Sequence, residues 1–199
     1  MFKKVLFYSV LILSSVVFLL VQYQCGQNQP EKKEMTKEEM IKRGAYLVTS
    51  GQCNDCHTPK IYGPMGPMED TTRLLSGQPA NETIPKVPLE YLGPGKWAVV
   101  GNAHFSAWAG PWGVSFAKNL TPDEATGIGN WTVEVFIKAM RTGKDLGVGR
   151  DLLPPMPWPN VGKMTDEDLK SIFAYLKSLK PVHNQVPDPI PPDKMASIK

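Results

Sequence analysis

The first 35 residues divide into an apolar run and a polar one. Residues 5–23 carry no charge, and Lys3 and Lys4 precede them. A helix of about 20 apolar residues spans the hydrocarbon core of a bilayer, so this run is long enough to cross it. The two lysines favour a cytoplasmic N-terminus, with the rest of the chain on the far side of the membrane. We therefore predict a membrane anchor or signal segment over residues 1–24 and a polar tether over residues 25–35.

The end of the apolar run leaves three modes of attachment open. It lacks the small residues that precede the cleavage site of an ordinary signal peptide. Cys25 stands where a lipoprotein cysteine would stand, although Gln24 is a poor residue for the position before it. An uncleaved single-pass anchor, lipidation of Cys25 and release after cleavage would all export the remainder of the chain. The sequence predicts a protein of the cytoplasmic membrane whose folded part lies on the periplasmic side.

Three later stretches have the spacing of apolar residues that is typical of amphipathic helices. The first begins at Thr36, which forms a capping box with Glu39. The second begins near residues 130–132 and should end at Gly143. The third follows Thr165 as its cap, and its apolar positions are Leu169, Ile172, Phe173, Leu176 and Leu179. The pattern thus predicts about three main helices.

The segment between the first two helices, residues 59–129, shows no helical spacing. Prolines interrupt its first half at positions 59, 64, 67, 79, 85, 88 and 94, which excludes a long helix there. A structureless loop of this length is uncommon inside a compact domain, so we expect it to wrap something large. A second proline-rich segment lies at the C-terminus, where we expect an extended tail over residues 188–199.

Composition and charge narrow the classes of function. Of the 199 residues, 42% are apolar and 21% are charged, which fits neither a disordered tail nor a protein with many membrane spans. The net charge is +3, and Lys3 and Lys4 supply most of that excess. Nucleic-acid-binding proteins usually concentrate basic residues in a patch or stripe. No nucleic-acid partner is therefore expected.

The candidate chemistry lies where the first helix ends, in the sequence Cys53-Asn54-Asp55-Cys56-His57. C-x-x-C-H is the sequence to which haem c is attached. Two thiols three positions apart on one helical turn can reach the two vinyl groups on one edge of the porphyrin. The histidine that follows can then direct its imidazole at the iron. We predict one haem c, joined by thioethers to Cys53 and Cys56, with His57 as an iron ligand.

The same motif has three other interpretations: a zinc site, a redox pair and a structural disulfide. A structural zinc site would need two more thiol or imidazole ligands at paired spacing, and the remaining histidines are His104 and His183. A thioredoxin-like redox pair would follow a strand, and no strand pattern precedes the motif. A plain disulfide between Cys53 and Cys56 can form in an exported protein. Export, the preceding helix and a suitable second iron ligand favour haem c.

The second iron ligand is predicted by elimination among the methionines. Seven methionines are unsuitable. Two lie on apolar helix faces (Met40 and Met140), one lies beside a helix cap (Met164), two follow His57 too closely (Met65 and Met68), and two are near flexible ends (Met35 and Met195). Met156 remains, in a strap over residues 153–159 that holds four prolines and can keep a thioether at a fixed distance from iron. The alternatives are a Met156 that only packs in a loop, and His104 or His183 as the ligand.

Taken together, these residues resemble the class I c-type cytochromes. The matching motifs are G-A-Y-L from Gly44, C-N-D-C-H-T, P-P-M-P-W and, in the last helix, A-Y-L from Ala174. More narrowly, N-L-T-P-D from Asn119, T-G-I-G from Thr126 and the Trp131-Thr132 pair are similar to the haem domains of membrane-bound dehydrogenase cytochrome subunits and their single-haem relatives. The similarity covers about residues 36–187.

The resemblance implies an all-α, class I cytochrome c-like fold around one covalently bound haem, with a cytochrome c domain over residues 36–187 and a long Pro/Gly-rich loop insertion. In that fold the first and last helices cross, Gly44 allows their close approach and Tyr175 packs nearby. His57 would be the proximal ligand and Met156 the distal one. This sequence departs from the family in its single C-x-x-C-H, where many dehydrogenase subunits carry two or three, and in residues 62–116, which match no pattern.

The function implied is one-electron transfer by an electron carrier rather than an enzyme. With histidine and methionine both bound, the iron has no open position for a substrate. Methionine sulfur favours ferrous iron and raises the reduction potential. The expected partners are a dehydrogenase upstream and an oxidase or another carrier downstream. The alternative is a haem-based enzyme or gas sensor with a displaceable sixth ligand, but a two-haem peroxidase would need a second attachment motif.

Overall fold

The computed structural model describes residues 34–198. Its helices are α1 (Lys37–Ser50), α2 (Cys53–His57), α3 (Val133–Thr142), α4 (Trp158–Val161) and α5 (Asp166–Ser178). Its strands are β1 (Lys60–Gly63), β2 (Gly66–Glu69), β3 (Val100–Gly101), β4 (Ala107–Gly110) and β5 (Gly113–Phe116). Short 3₁₀ turns lie at Thr71–Arg73, Leu89–Tyr91, Asp145–Gly147 and Pro192–Ser197.

The three predicted main helices are confirmed as α1, α3 and α5, and local signals set their ends. At the start of α1 the Thr36 hydroxyl accepts from the Glu39 amide, and the Glu39 carboxylate accepts from the Thr36 amide at 2.7 Å. The Thr165 hydroxyl caps α5 in the same way by accepting from Asp168 N at 3.1 Å. Gly143 ends α3 with a φ of 67°. Each cap satisfies a backbone group that the helix alone leaves unpaired.

Helices α1 and α5 cross at Gly44. A Cβ at this position would lie 2.0 Å from the carbonyl oxygen of Ser171 and 2.7 Å from Cβ of Tyr175, so no other residue permits this approach. Next to the crossing, Arg43 donates to the Asp168 carboxylate from Nε at 2.7 Å and from Nη2 at 2.5 Å. The implied crossing of the first and last helices is confirmed.

A first core forms between the three long helices and the loops that face them. Its buried members are Val48, Leu75, Ile128, Phe136, Ala139, Met140, Leu169, Ile172, Phe173 and Leu176. The rings of Phe136 and Phe173, from α3 and α5, lie 5.4 Å apart between centroids. Leu75 and Ile128 come from the long segment that shows no helical spacing. That segment therefore helps to build the core.

The expectation of an all-α fold is wrong, because the segment between α2 and α3 forms two antiparallel sheets. Strands β1 and β2 form a hairpin, and β3, β4 and β5 form a three-stranded sheet in that order. Two-residue turns close the hairpins, at 64–65 and 111–112. Prolines exclude a helix here but are compatible with turns and edge strands. Strands of two to four residues are too short to show the alternation by which sequence reveals a strand.

Residues 188–198, for which the sequence predicts an extended tail, pack on this sheet. Ile190 exchanges two backbone hydrogen bonds with Val114 in β5, of 2.8 and 2.9 Å. Met195 is buried and completes a second core with Val87, Ala109 and Val114. The tail approaches so closely that a Cβ on Gly113 would lie 2.0 Å from the Ile190 carbonyl oxygen. Residues 188–191 are extended, which lets Ile190 pair with the strand, whereas Pro192–Ser197 form a 3₁₀ turn instead of the predicted extended tail.

The predicted anchor over residues 1–24, Cys25 and most of the tether lie outside the described residues. Within residues 34–198, no helix combines the length and the apolar character needed to cross a bilayer.

Candidate haem-binding site

The C-x-x-C-H motif forms a separate helical turn, α2, at the end of α1. Gln52 separates the two helices with a left-handed φ of 57°, which turns the chain before Cys53. Both thiols are free and partly buried. Burial raises the pKa of Cys53 to about 11, and burial followed by the nearby Asp55 raises the pKa of Cys56. Redox-active thiols have lowered pKa values, so this environment argues against a thioredoxin-like pair.

His57 is buried, and one of its ring nitrogens is already engaged. Nδ1 donates to the carbonyl oxygen of Lys118 at 2.7 Å, which leaves Nε2 as the nitrogen with a lone pair. Burial lowers the pKa of His57 and thus favours the neutral ring. A neutral imidazole whose second nitrogen is held by a carbonyl is the usual form of a metal-binding histidine. The residues present therefore fit an iron ligand at Nε2.

Two loop segments, residues 75–77 and residues 118–120, hold the attachment turn through hydrogen bonds. The amide of Gly77 donates to the His57 carbonyl at 2.7 Å, and the amide of Leu75 donates to the Thr58 hydroxyl at 2.9 Å. Leu75 in turn accepts from the amide of Leu120 at 2.9 Å. The turn is thereby joined to the segment that carries Lys118, whose carbonyl holds the imidazole of His57.

Asn119 anchors that segment, and it is the first residue of the N-L-T-P-D motif. Its side chain is fully buried and uses both polar ends. Oδ1 accepts from the amide and the hydroxyl of Thr121 at 3.0 and 2.8 Å. Nδ2 donates to the carbonyl of Val182 at 2.8 Å and to the hydroxyl of Thr126 at 3.1 Å. The motif is thus a clamp that positions the Lys118 carbonyl for His57.

Met156 lies in the proline strap between α3 and α4. The strap is tied to β5, because the hydroxyl of Ser115 donates to the Pro154 carbonyl at 2.5 Å. Before the strap, the amide of Leu152 donates to the Gly143 carbonyl at 2.7 Å. Met156 and Cys53 are both partly buried against the first core. The structure therefore brings the predicted distal ligand and the attachment turn to the same core.

Most other methionines are either exposed to solvent or packed within one of the two cores. Met65 is 94% exposed at the tip of the first hairpin, and Met68 is 47% exposed. Met140 is buried within the first core and Met195 within the second. Met164 packs on the first core as Met156 does, so it is the natural comparison for Met156.

The two remaining histidines are unsuited to bind the iron. His104 uses both ring nitrogens, since Nδ1 accepts from the Lys60 amide at 3.0 Å and Nε2 pairs with the Glu82 carboxylate. The His183 side chain is 72% exposed and lies 3.5 Å from Asp123. Within residues 34–198, no three histidine, cysteine, aspartate or glutamate side chains form a group that could hold a metal ion.

Sequence reasoning missed three residues around the turn. The Lys118 carbonyl has no side-chain signature, although the N-L-T-P-D motif beside it marks the segment. Ser115 belongs to the unmatched insertion, where no pattern marks it. Lys60 sits three positions after His57 and is buried, which its polar character gave no reason to expect.

Comparison with known proteins shows that the chain is similar to cytochrome subunits of dehydrogenases. It is 30% identical over 142 residues to the gluconate 2-dehydrogenase cytochrome c subunit of Pantoea cypripedii, which covers 71% of this chain and 24% of the relative. It is 31% identical over 156 residues to the cytochrome c subunit of the quinone alcohol dehydrogenase of Gluconobacter oxydans (strain 621H), with 76% and 24% covered. It is 40% identical over 143 residues to the fructose dehydrogenase cytochrome subunit of Gluconobacter japonicus, with 71% and 22% covered.

No protein-family model matches the chain. The chain spans about a quarter of the length of the curated relatives it matches. The helix crossing at Gly44, the C-x-x-C-H turn and the oriented His57 fit a haem-binding domain of the cytochrome type. The matched part of the chain is a class I c-type cytochrome domain, similar to those of dehydrogenase cytochrome subunits, as the sequence predicted. These relatives are named as the cytochrome subunits of dehydrogenases.

Proposed function

We propose that this chain is a membrane-anchored, mono-haem c-type cytochrome that passes single electrons from a dehydrogenase to an oxidase or another carrier. The observation that carries the proposal is the state of His57. Its ring is buried and kept neutral, Nδ1 is held by the Lys118 carbonyl, and Nε2 is free to bind iron at the end of a turn with two free thiols.

Four side chains would hold the cofactor. Cys53 and Cys56 would form thioethers to one haem c, and His57 and Met156 would be the axial ligands. When bound, the haem supplies one-electron chemistry, since its iron accepts an electron in the ferric state and gives it up in the ferrous state. The relatives support haem c as the cofactor. The single C-x-x-C-H supports one haem per chain.

The residues of the chain determine how the cofactor is used. The Lys118 carbonyl fixes the tautomer and orientation of His57. The proline strap and Ser115 keep Met156 in place, so that a competing ligand must displace a held side chain. A thioether ligand and apolar surroundings both favour the ferrous state. A saturated iron with a high potential suits electron transfer better than the binding of a substrate or gas.

A dehydrogenase is proposed as the donor because the relatives are named as subunits of such enzymes. The test is to purify the protein from native membranes in mild detergent and to identify the proteins that copurify. The isolated complex should reduce the haem when the substrate of that dehydrogenase is added. Copurification with no redox enzyme, together with rapid carbon monoxide binding by the wild-type ferrous protein, would instead support the gas sensor or haem enzyme.

Membrane anchoring by residues 1–24 is part of the proposal and has its own test. Protease added to spheroplasts should degrade the haem domain, because the lysines before the apolar run favour a cytoplasmic N-terminus. Replacing residues 1–35 with a cleavable signal should release a soluble haem protein. Cys25→Ala separates the two modes of anchoring: retention on the membrane supports the helix, and release supports the lipid.

A further inference from the structure

A buried lysine packs against the haem-attachment turn α2. Lys60 is the first residue of β1 and is only 8% exposed. Its side chain folds back on α2, where Nζ donates to the carbonyl oxygens of Asn54 at 2.9 Å and of Thr58 at 2.7 Å. Lysine is almost never buried without partners. Here the partners are backbone carbonyls at the C-terminal end of the helix that carries both cysteines.

The charge of this ammonium is not cancelled by direct pairing. Within residues 34–198, its hydrogen bonds go to the two carbonyls, whereas Glu69 and Asp55 act on it through space without forming an ion pair. Burial lowers the pKa of Lys60, whereas the nearby carboxylates of Glu69 and Asp55 act in the opposite direction and favour the charged form of the amine.

We infer that the Lys60 ammonium is a fixed positive charge that raises the reduction potential of the haem attached at Cys53 and Cys56. The inference rests on the proposed function, because it requires the haem. Ferric haem carries one more positive charge than ferrous haem, so a nearby cation destabilises the oxidised state. Because the ammonium is buried, salt screens its effect much less than that of a surface lysine. Lys60 would thus raise the reduction potential of the haem without binding the iron.

The test compares three holoprotein variants by potentiometric titration. Lys60→Met removes the charge and keeps most of the side-chain volume, and its midpoint potential should fall below that of the wild type. Lys60→Arg keeps the charge and should restore most of the difference. The matched control is Lys96→Met, because Lys96 also donates to a backbone carbonyl, that of Glu90 at 2.8 Å, but on an exposed part of the insertion. Its potential should equal that of the wild type.

Two further measurements separate charge from structure. The drop in Lys60→Met should persist in 1 M salt, where the Debye length is only about 3 Å and surface charges are screened. The near-infrared band of methionine-bound ferric haem should be retained, which shows that the axial ligands are unchanged. Lys60→Gln, which keeps a donor for one carbonyl, provides a second neutral variant if Lys60→Met does not take up haem.

Each failure has a distinct meaning. Absence of covalent haem from the wild type would overturn the proposed function and this inference together. Haem-loaded Lys60→Met or Lys60→Gln with the wild-type potential would overturn the role of Lys60 alone. Loss of haem from both neutral variants, with normal loading of Lys60→Arg, would also overturn it and leave Lys60 as a structural cap of α2.

Discussion

The hydroxyl oxygen of Ser115 lies 2.5 Å from the carbonyl oxygen of Pro154, although the two residues are 39 positions apart. Ser115 also accepts from the indole N–H of Trp112 at 3.2 Å, so its hydroxyl is fixed on both sides. Through this contact the three-stranded sheet of the insertion reaches the strap that carries Met156. The insertion, which matches no family pattern in sequence, supports the strap that carries the predicted distal ligand.

Ser115→Ala should therefore loosen the strap more than it destabilises the domain. Loss of one partly buried hydrogen bond costs about 1 kcal/mol. We expect the ferric protein to bind added imidazole more readily than the wild type, since Met156 is held less firmly. The measurement is a spectrophotometric imidazole titration. Ser178→Ala is the matched control, because Ser178 makes a similar hydroxyl–carbonyl bond on α5, to Tyr175 at 2.7 Å. Equal imidazole affinities in both variants would contradict the role of Ser115.

Met156→Ala should remove the near-infrared sulfur-to-iron band and lower the reduction potential. The reason is that the soft ligand that favours ferrous iron is lost. The ferrous variant should also bind carbon monoxide readily, because a coordination position has opened. Near-infrared absorption, potentiometry and a carbon monoxide difference spectrum check the three effects.

Met164→Ala is the control for that substitution, since Met164 packs on the same core. It should lower the free energy of unfolding by about 2 kcal/mol and leave the spectrum unchanged. A spectral change in Met164→Ala with none in Met156→Ala would show that the strap does not supply the ligand.

Replacing Cys53 and Cys56 with alanine should yield no stable holoprotein. Both thioethers would be lost, and with them the covalent link that keeps the haem in the domain. Acid–acetone extraction should leave the colour on wild-type polypeptide, with one haem per chain by pyridine haemochrome assay. Haem that extracts freely from the wild type, or a ratio of two, would show that the assignment is wrong.

Gly44→Ala should disrupt the crossing of α1 and α5. A new Cβ would lie 2.0 Å from the Ser171 carbonyl, so the helices must move apart. Overpacking of this kind costs about 1–3 kcal/mol, which urea denaturation measures directly. Tyr46→Ala, at a position on α1 that is 69% exposed, should change stability by less than about 0.5 kcal/mol. A Gly44→Ala protein as stable as the wild type would refute the close approach.

The parts of the fold that follow from local chemistry could be predicted from the sequence. Thr36 and Thr165 cap helices by bonding residues three positions away, and such pairs are visible in a short window. The C-x-x-C-H motif likewise carries both attachment cysteines and the histidine ligand within five residues. These elements depend on few distant contacts, so the residues that determine them lie close together in the sequence.

The parts that depend on distant partners could not be predicted. β3 has two residues and no recognisable pattern, and it forms because β4 pairs with it. Ile190 joins β5 only when the tail has folded back on Val114. Lys60 is buried because the carbonyls of α2 and the surrounding loops enclose it, whereas its own side chain is typical of a surface. In each case the determining contact is absent from the local sequence.

The pairing of Ile190 with Val114 also bears on the order in which the protein is made. The three-stranded sheet is completed by residues 190–195, which are synthesised after every other described element. Until they arrive, the second core has no Met195 and β5 has no partner on that side. The thiols of Cys53 and Cys56 are translated long before then. The haem-attachment turn is therefore complete in the growing chain well before the second core can close.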